Sequence, residues 1–350
     1  MNLAAQTPLE RQNSFDLIRL FAALCVLISH QLGMAGYPEL PLGPLGIALA
    51  STGLYIFFAL SGYLVCHSWL RAPSLRRFLK ARVLRIYPAF IVNIGFCVLF
   101  GAMLTTLSAS DYWLSAQTWR FIVLNAPILT VPTQFTLPGV FVDARWPIVN
   151  GSIWTIKYEL LCYLASAALM LATGTRKALA RNALAIVLFL LITAYVYRIS
   201  VYEPPQGEAF FGYYNAFNLL RFFMTFAAGA LYALSEPLSD RARLVFLAVP
   251  AALIIFGPSP EFSRAGIILL LVLLMIEVGK TEIFFSSAYR RVGDLSYGTF
   301  LYGYPIQNLL MTRYYNGSNF SIVTAATVTI VLAIAWLSWR LVEKPFLRNK

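Results

Sequence analysis

The chain has 350 residues, 59% of them hydrophobic and 12% charged, with a mean hydropathy of +0.70. Soluble domains carry about 25% charged residues, so too little polar sequence remains here to cover a soluble core of this size. The net charge of +12 does not mark a nucleic-acid surface, because the basic residues gather in alternate connections between apolar segments.

Apolar runs of about 20 residues, enough to cross the hydrocarbon of a bilayer at 1.5 Å per residue, recur along the whole sequence. Ten spans are expected: 15–33, 46–67, 87–108, 151–173, 182–199, 216–235, 243–257, 264–278, 295–313 and 321–341. The fold class is therefore all-α, a polytopic membrane helical bundle. Most of the 27 Lys and Arg residues fall in the second, fourth, sixth and eighth connections and the two ends. The positive-inside bias then places both termini in the cytoplasm. The expected organisation is a cytoplasmic segment 1–14, one membrane domain 15–341 and a cytoplasmic tail 342–350. The polar start MNLAAQTPLERQNSFD precedes an apolar stretch with no clear small-residue cleavage site, so the first span is expected to stay as a helix. Cys25, Cys66, Cys97 and Cys162 all lie in apolar spans at no metal-ligand spacing, which points to buried reduced thiols and no metal site.

The first span, FDLIRLFAALCVLISH (15–30), holds Arg19 near one end and His30 near the other. Eleven steps of about 100° return a side chain to nearly the same helix face, about 16 Å further along the axis. Asp16 lies on nearly the same stripe. Two readings fit: Arg19 snorkels to headgroups and His30 sits at the interface, or both face a polar interior, the usual place for an ionisable residue within a span.

After the second span, RAPSLRRFLKARVLRIYP (71–88) carries six basic residues and no acidic one. Any inner loop collects such charge and pairs it with anionic lipid. Arg82 and Arg85, however, share a helix face at the membrane entrance, and the guanidinium fork suits phosphate oxygens. A cytoplasmic phosphorylated donor is the sharper expectation. His67, which closes the second span, is the only other histidine and is read as interfacial.

The segment from Ser108 to Asn150 contains Pro127, Pro132, Pro138 and Pro147 among aromatics. It is expected to be re-entrant or interfacial rather than a free linker. In NGSIWTIKYELLCY (150–163), Ser152, Thr155, Glu159, Cys162 and Ser166 form a small or polar stripe. Glu159, an acid inside an apolar span, must be paired, protonated or facing water. Its expected partner across the bundle is Arg19 or His30.

These motifs together resemble acyltransferase family 3, the integral membrane acyltransferases that modify bacterial surface glycans. The resemblance is carried by Arg19 through His30, by GLYIFFALSGYL (53–64), by Arg82, Arg85 and Tyr87-Pro88, by WTIKYE (154–159), by LSYGTFLYGYP (295–305) and by LVEKPF (341–346). The stretch PGVFVDARWPIVNGSIWTIKYE is most similar to members without a fused esterase-like domain, which include O-antigen and nodulation-factor modifiers. One departure is Gly303, where many members have a histidine two residues before the proline.

The resemblance implies transfer of an acyl group, usually acetyl from cytoplasmic acetyl-coenzyme A as co-substrate, to a hydroxyl of a carbohydrate or lipid-linked glycan in the bacterial inner membrane. On that reading His30 is the base or a transient acyl carrier. Arg19 holds or guides the donor, Glu159 orients the imidazole or an arginine, and Arg82 and Arg85 bind the donor. Ser152 and Trp154 are candidate acceptor-binding residues, alongside Trp113, Trp119 and Trp146. Membrane lipids are the remaining partner, and no nucleic acid is expected. The competing class is a transporter or flippase of a glycan or lipid intermediate, for which buried charges along a path through the helices would also serve.

Overall fold

The computed structural model describes residues 13–38, 40–42, 47–129, 132–201 and 214–348. The first apolar run winds into α1 (Phe15–Ala35), which ends at Gly36 in a left-handed conformation, φ 85°, with its N–H returned to the Gly33 carbonyl. Glycine takes that backbone at the least cost. A two-residue antiparallel ribbon, β1 (Pro41–Leu42) with β2 (Ile47–Ala48), leads into α2 (Leu49–Arg71).

Ser74 caps the next helix by accepting from the Arg77 N–H, so α3 (Leu75–Leu104) begins well before the expected boundary at residue 87. The basic stretch is thus the opening of a membrane helix, and Pro88 lies inside it. After α3, the expected interfacial segment forms two short helices, α4 (Ala109–Leu114) and α5 (Ala116–Asn125), followed by irregular chain. Its described residues are tied down at several points. Tyr112 donates to the Val98 carbonyl at 2.8 Å, and Asn125 exchanges two hydrogen bonds with the Gln134 backbone at 2.9 and 3.0 Å. Phe121, Leu137 and Val149 are buried.

A 3-10 turn, Ile153–Thr155, opens α6 (Ile156–Thr173). Then follow α7 (Lys177–Val201), α8 (Ala216–Ser235), α9 (Asp240–Phe256), α10 (Pro260–Lys280), the short α11 (Ser286–Val292), α12 (Ser296–Tyr314) and α13 (Phe320–Ser338). The last helix does not stop at 341: a π-helical turn, Trp339–Glu343, joins it to α14 (Lys344–Leu347). Among the described residues, eight helices are long and apolar enough to cross a membrane. These are α1, α2, α3, α6 with its 3-10 turn, α7, α8, α10, and α13 with its continuation. Helices α9, of 17 residues, and α12, the more polar one, occupy the other two expected segments.

Helix α2 lies at the centre, packed on α1 and α8 through glycines. A Cβ added at Gly53 would lie 2.4 Å from the Ala22 carbonyl oxygen; at Gly62 it would lie 2.1 Å from that of Phe226, and at Gly229 2.0 Å from that of Ala59. Close backbone approach of this kind is how membrane helices gain dispersion contact without a hydrophobic driving force. On the other side, Pro305 lacks the N–H that would bond the Leu301 carbonyl within α12. That oxygen instead accepts from Asn93 at 3.1 Å and from Asn150 at 2.9 Å, which joins α12 to α3 and to the turn before α6. The four cysteines are free and buried.

Candidate active site

A cavity of about 480 Å³ opens between α1, α2, α3, α6 and the start of α12. Along α2 its lining extends from Arg71, at the helix C-terminus, to Leu54. That is roughly 25 Å at 1.5 Å per residue, most of the thickness of a bilayer core. Polar and charged side chains line the end near Arg71, and Leu54, Phe57, Phe58, Ile156 and Phe300 line the far part.

The charged end is a network. Arg85 on α3 reaches Asp294 at 2.5 Å and Glu343 of the π-helical turn at 3.8 Å. Arg19 on α1 pairs with Asp16 at 3.3 Å and with the same Asp294 oxygen at 3.6 Å. The other Asp294 oxygen accepts from the backbone and hydroxyl of Ser296, at 3.0 and 2.5 Å, and so serves the N-terminus of α12. Burial pushes the Asp294 carboxyl up, but the Arg85 and Arg19 charges and the Ser296 donors outweigh it and hold the group below the usual carboxylate range.

Midway along the cavity, Glu159 of α6 accepts from Ser61 of α2 at 2.8 Å and from the Tyr163 hydroxyl. These contacts replace the expected pairing with Arg19 or His30. Asp294 has taken Arg19 from the other side, and His30 lies too far along α1. The Arg82 guanidinium borders the cavity between the rings of Phe78 and Tyr163, 5.9 and 5.6 Å from their centroids.

The structure therefore brings Arg19, Arg82, Arg85 and Glu159 to one cavity and leaves His30, Ser152 and Trp154 off its lining. His30 packs edge-on against Tyr304 at 5.2 Å between centroids. Tyr304 in turn rests on Gly151, where a Cβ would lie 2.5 Å from the ring. Ser152 is buried and donates its N–H to Asn150, and its carbonyl accepts from Thr155, which does line the cavity, at 3.4 Å. Contact from the far end of the cavity to His30 thus runs through Thr155, Ser152, Gly151 and Tyr304. Trp154 packs against Tyr158 and Phe222. At Gly303 a Cβ would meet Leu27 at 3.5 Å, ordinary contact, so the backbone there has room for a side chain.

Sequence reasoning missed Asp294, Ser61 and Tyr163 as site residues. Asp294 had a legible signal: an acid two residues before Ser296, at the start of a helix, is a capping pattern. Ser61 lies within GLYIFFALSGYL (53–64), but a serine in a membrane helix more often bonds its own backbone; Tyr163 had no signal, one aromatic among many in an apolar span.

His67 belongs to a second cluster at the charged end. Glu236 accepts from His67 at 2.8 Å, Tyr63 at 3.0 Å and Lys280 at 2.8 Å. Burial raises the Glu236 carboxyl, yet the bonds from His67 and Lys280 and the Lys280 charge prevail and bring it down to about 2.

No solved structure matches this chain. It is similar to an O-acetyl transferase of Shigella phage Sf6, 29% identical over 353 residues and covering 97% of each chain. It is also similar to nodulation protein 10 of Rhizobium leguminosarum bv. viciae, 34% identical over 164 residues, 44% of this chain and 42% of that protein. The family model described as an acyltransferase domain, that of acyltransferase family 3, matches residues 12–340. With buried charges gathered around a deep cavity in a bundle of apolar helices, and that match across nearly its whole length, the chain belongs to acyltransferase family 3 and is a membrane acyltransferase.

Proposed function

We propose that this protein is an O-acetyltransferase of the bacterial inner membrane that takes acetyl from cytoplasmic acetyl-coenzyme A and passes it to a hydroxyl of a cell-surface or lipid-linked glycan. The observation that carries the reading is the cavity: it starts among arginines at the end of the bundle where basic residues concentrate and continues along most of α2. The acetyl group is supported by the name of the phage relative, and the class of acceptor by the resemblance in motifs. On this reading the chain makes ten crossings with both termini in the cytoplasm, around one domain spanning 15–341; the eight long apolar helices, with α9 and α12 as the remaining two, and the placement of charge support it.

The chemistry follows from the residues. A phosphorylated donor enters at the basic end, its acyl-bearing arm lying along the apolar part of the cavity. Glu159, Ser61 and Tyr163 give that arm a polar station halfway. Arg19, fixed by Asp16 and Asp294, borders the entrance and guides the donor through its N–H groups rather than through net charge. His30 takes the proton from the acceptor hydroxyl as the oxygen attacks the thioester carbonyl. The new C–O bond forms, the C–S bond breaks, and the coenzyme A sulfur leaves as thiolate and is protonated. Ser152 and Trp154 flank the route on the acceptor side. Because Arg19 and His30 lie about 16 Å apart along α1, they act on different parts of the substrates. The acyl group meets His30 only after passing the Ser152–Tyr304 contact.

Mass spectrometry of surface and lipid-linked glycans, from cells with and without the protein, tests the reading. One added acetyl per modified sugar, lost with His30→Ala, is expected. Identical glycan masses in both cells would overturn it.

A further inference from the structure

The two arginines of the Arg82-x-x-Arg85 pair share a helix face and a cavity but not a set of partners. Arg85 is fully engaged: it bridges Asp294 at 2.5 Å and Glu343 at 3.8 Å, with the Tyr297 ring 5.8 Å from its guanidinium carbon. Glu343 is only 2% exposed, and its Oε2, which faces Arg85, has no hydrogen bond of its own. Drawing Arg85 toward an incoming phosphate would strand that buried carboxylate and half-release Asp294, which also holds Arg19. Around Arg19 and Arg85 stand three carboxylates, Asp16, Asp294 and Glu343, against two guanidiniums. That region offers no surplus positive charge to a further anion.

Arg82 is the opposite case. Among the described residues it has no ion pair, and its Nε is buried without a hydrogen-bond partner. Its contacts are the faces of Phe78 and Tyr163, which fix a guanidinium while consuming none of its N–H donors. The guanidinium borders the cavity, and an anion entering there supplies the counter-charge that no ion pair provides to Arg82 among the described residues. Arg71, exposed on the cavity lining, is a second cation there with no carboxylate partner among the described residues.

We propose that Arg82 grips an anionic phosphate or pyrophosphate group of the incoming substrate, and that Arg85 is an internal strut tying α3 to α12 and to the π-helical turn. The assignment of that anion to the acyl donor rests on the function proposed above; the division of labour between the arginines rests on their partners alone.

Thermal unfolding of the full-length protein in detergent tests both parts, with inorganic pyrophosphate and coenzyme A as separate probes. The parent is expected to be stabilised by each. Arg82→Gln should unfold at the parent temperature or above without ligand, lose both ligand shifts, and raise the donor KM by about ten- to a hundredfold with a smaller change in kcat. Arg85→Gln and Asp294→Asn should each lower the ligand-free unfolding temperature. The exchanged pair Arg85→Asp with Asp294→Arg should recover part of that loss, and Arg85→Lys, which keeps the charge, should fold. Stabilisation by pyrophosphate but not by coenzyme A would keep the Arg82 site and remove the coenzyme A reading. Coenzyme A shifts that survive intact in Arg82→Gln would keep the donor and overturn the Arg82 assignment. No shift with either probe would overturn both.

Discussion

Asp294 shows how much one side chain decides at this site. It is 5% exposed and joins Arg85, Arg19 and the first turn of α12 through two carboxylate oxygens. Removing its charge leaves two partly buried guanidiniums each short of one partner, and breaking a buried pair typically costs about 3–5 kcal/mol. Asp294→Asn should therefore destabilise the protein by about 3 kcal/mol in denaturant unfolding, whereas an exposed pair such as Arg290–Glu282, at 2.6 Å, should cost under about 1 kcal/mol when broken. Glu236 adds a pH dependence. Its folded value of about 2 lies below the ordinary 4.5, so its contribution to stability is full above pH 4.5 and is lost as the pH falls toward 2. Thermal unfolding in detergent across that window should show a falling midpoint, with a shallower fall in Glu236→Gln. At this scale the sequence was legible for the charges that break an apolar pattern, Arg19, Arg82, Arg85 and Glu159. It was illegible for their partners, because which acid meets which arginine depends on neighbours from helices hundreds of residues apart.

The helices are legible from apolar runs, and their misplaced edges have local causes. Ser74 caps α3 ahead of the basic stretch, and no glycine or proline intervenes before Pro88, so the helix starts at Leu75 and carries Arg82 and Arg85 into the bundle. Periodicity placed Arg19 and His30 on one face of α1, but a face does not fix what each depth of it meets. The lower part borders the cavity; the upper part meets Tyr304. The tie at Leu301 makes a specific prediction about that upper region. Asn150→Leu removes one of two donors to a carbonyl freed by Pro305 and should cost about 1–3 kcal/mol. In a Pro305→Ala background the restored N–H can bond Leu301, so the same substitution should cost measurably less in a double-mutant cycle. The α2–α8 crossing is stricter. Gly229→Val would push a side chain into the Ala59 carbonyl and should destabilise by about 1–3 kcal/mol or prevent folding, read as loss of the monodisperse species in detergent.

Across the whole molecule, the separation of charged cavity from histidine is the feature that organises the account. Composition alone gives a helical membrane protein, and alternation of basic connections gives only an expected direction. Neither shows that the cavity ends among Leu54, Thr155 and Phe300 while His30 stands beyond, behind Tyr304 and Gly151. A reaction that joins a donor at one end to an acceptor at the other must pass that contact, so both ends are needed for turnover and only one for donor binding. His30→Ala should accordingly keep the stabilisation by coenzyme A while losing transfer, and Arg82→Gln should lose both. The most direct measurement supplies purified protein with acetyl-coenzyme A labelled in the acetyl group, together with a glycolipid extract, and follows free thiol and label at once. Thiol release matched by label in the extract, absent in His30→Ala, is the predicted result. Parent protein that releases no thiol and transfers no label from acetyl-coenzyme A, yet transfers acyl groups from a different activated donor, would contradict the account.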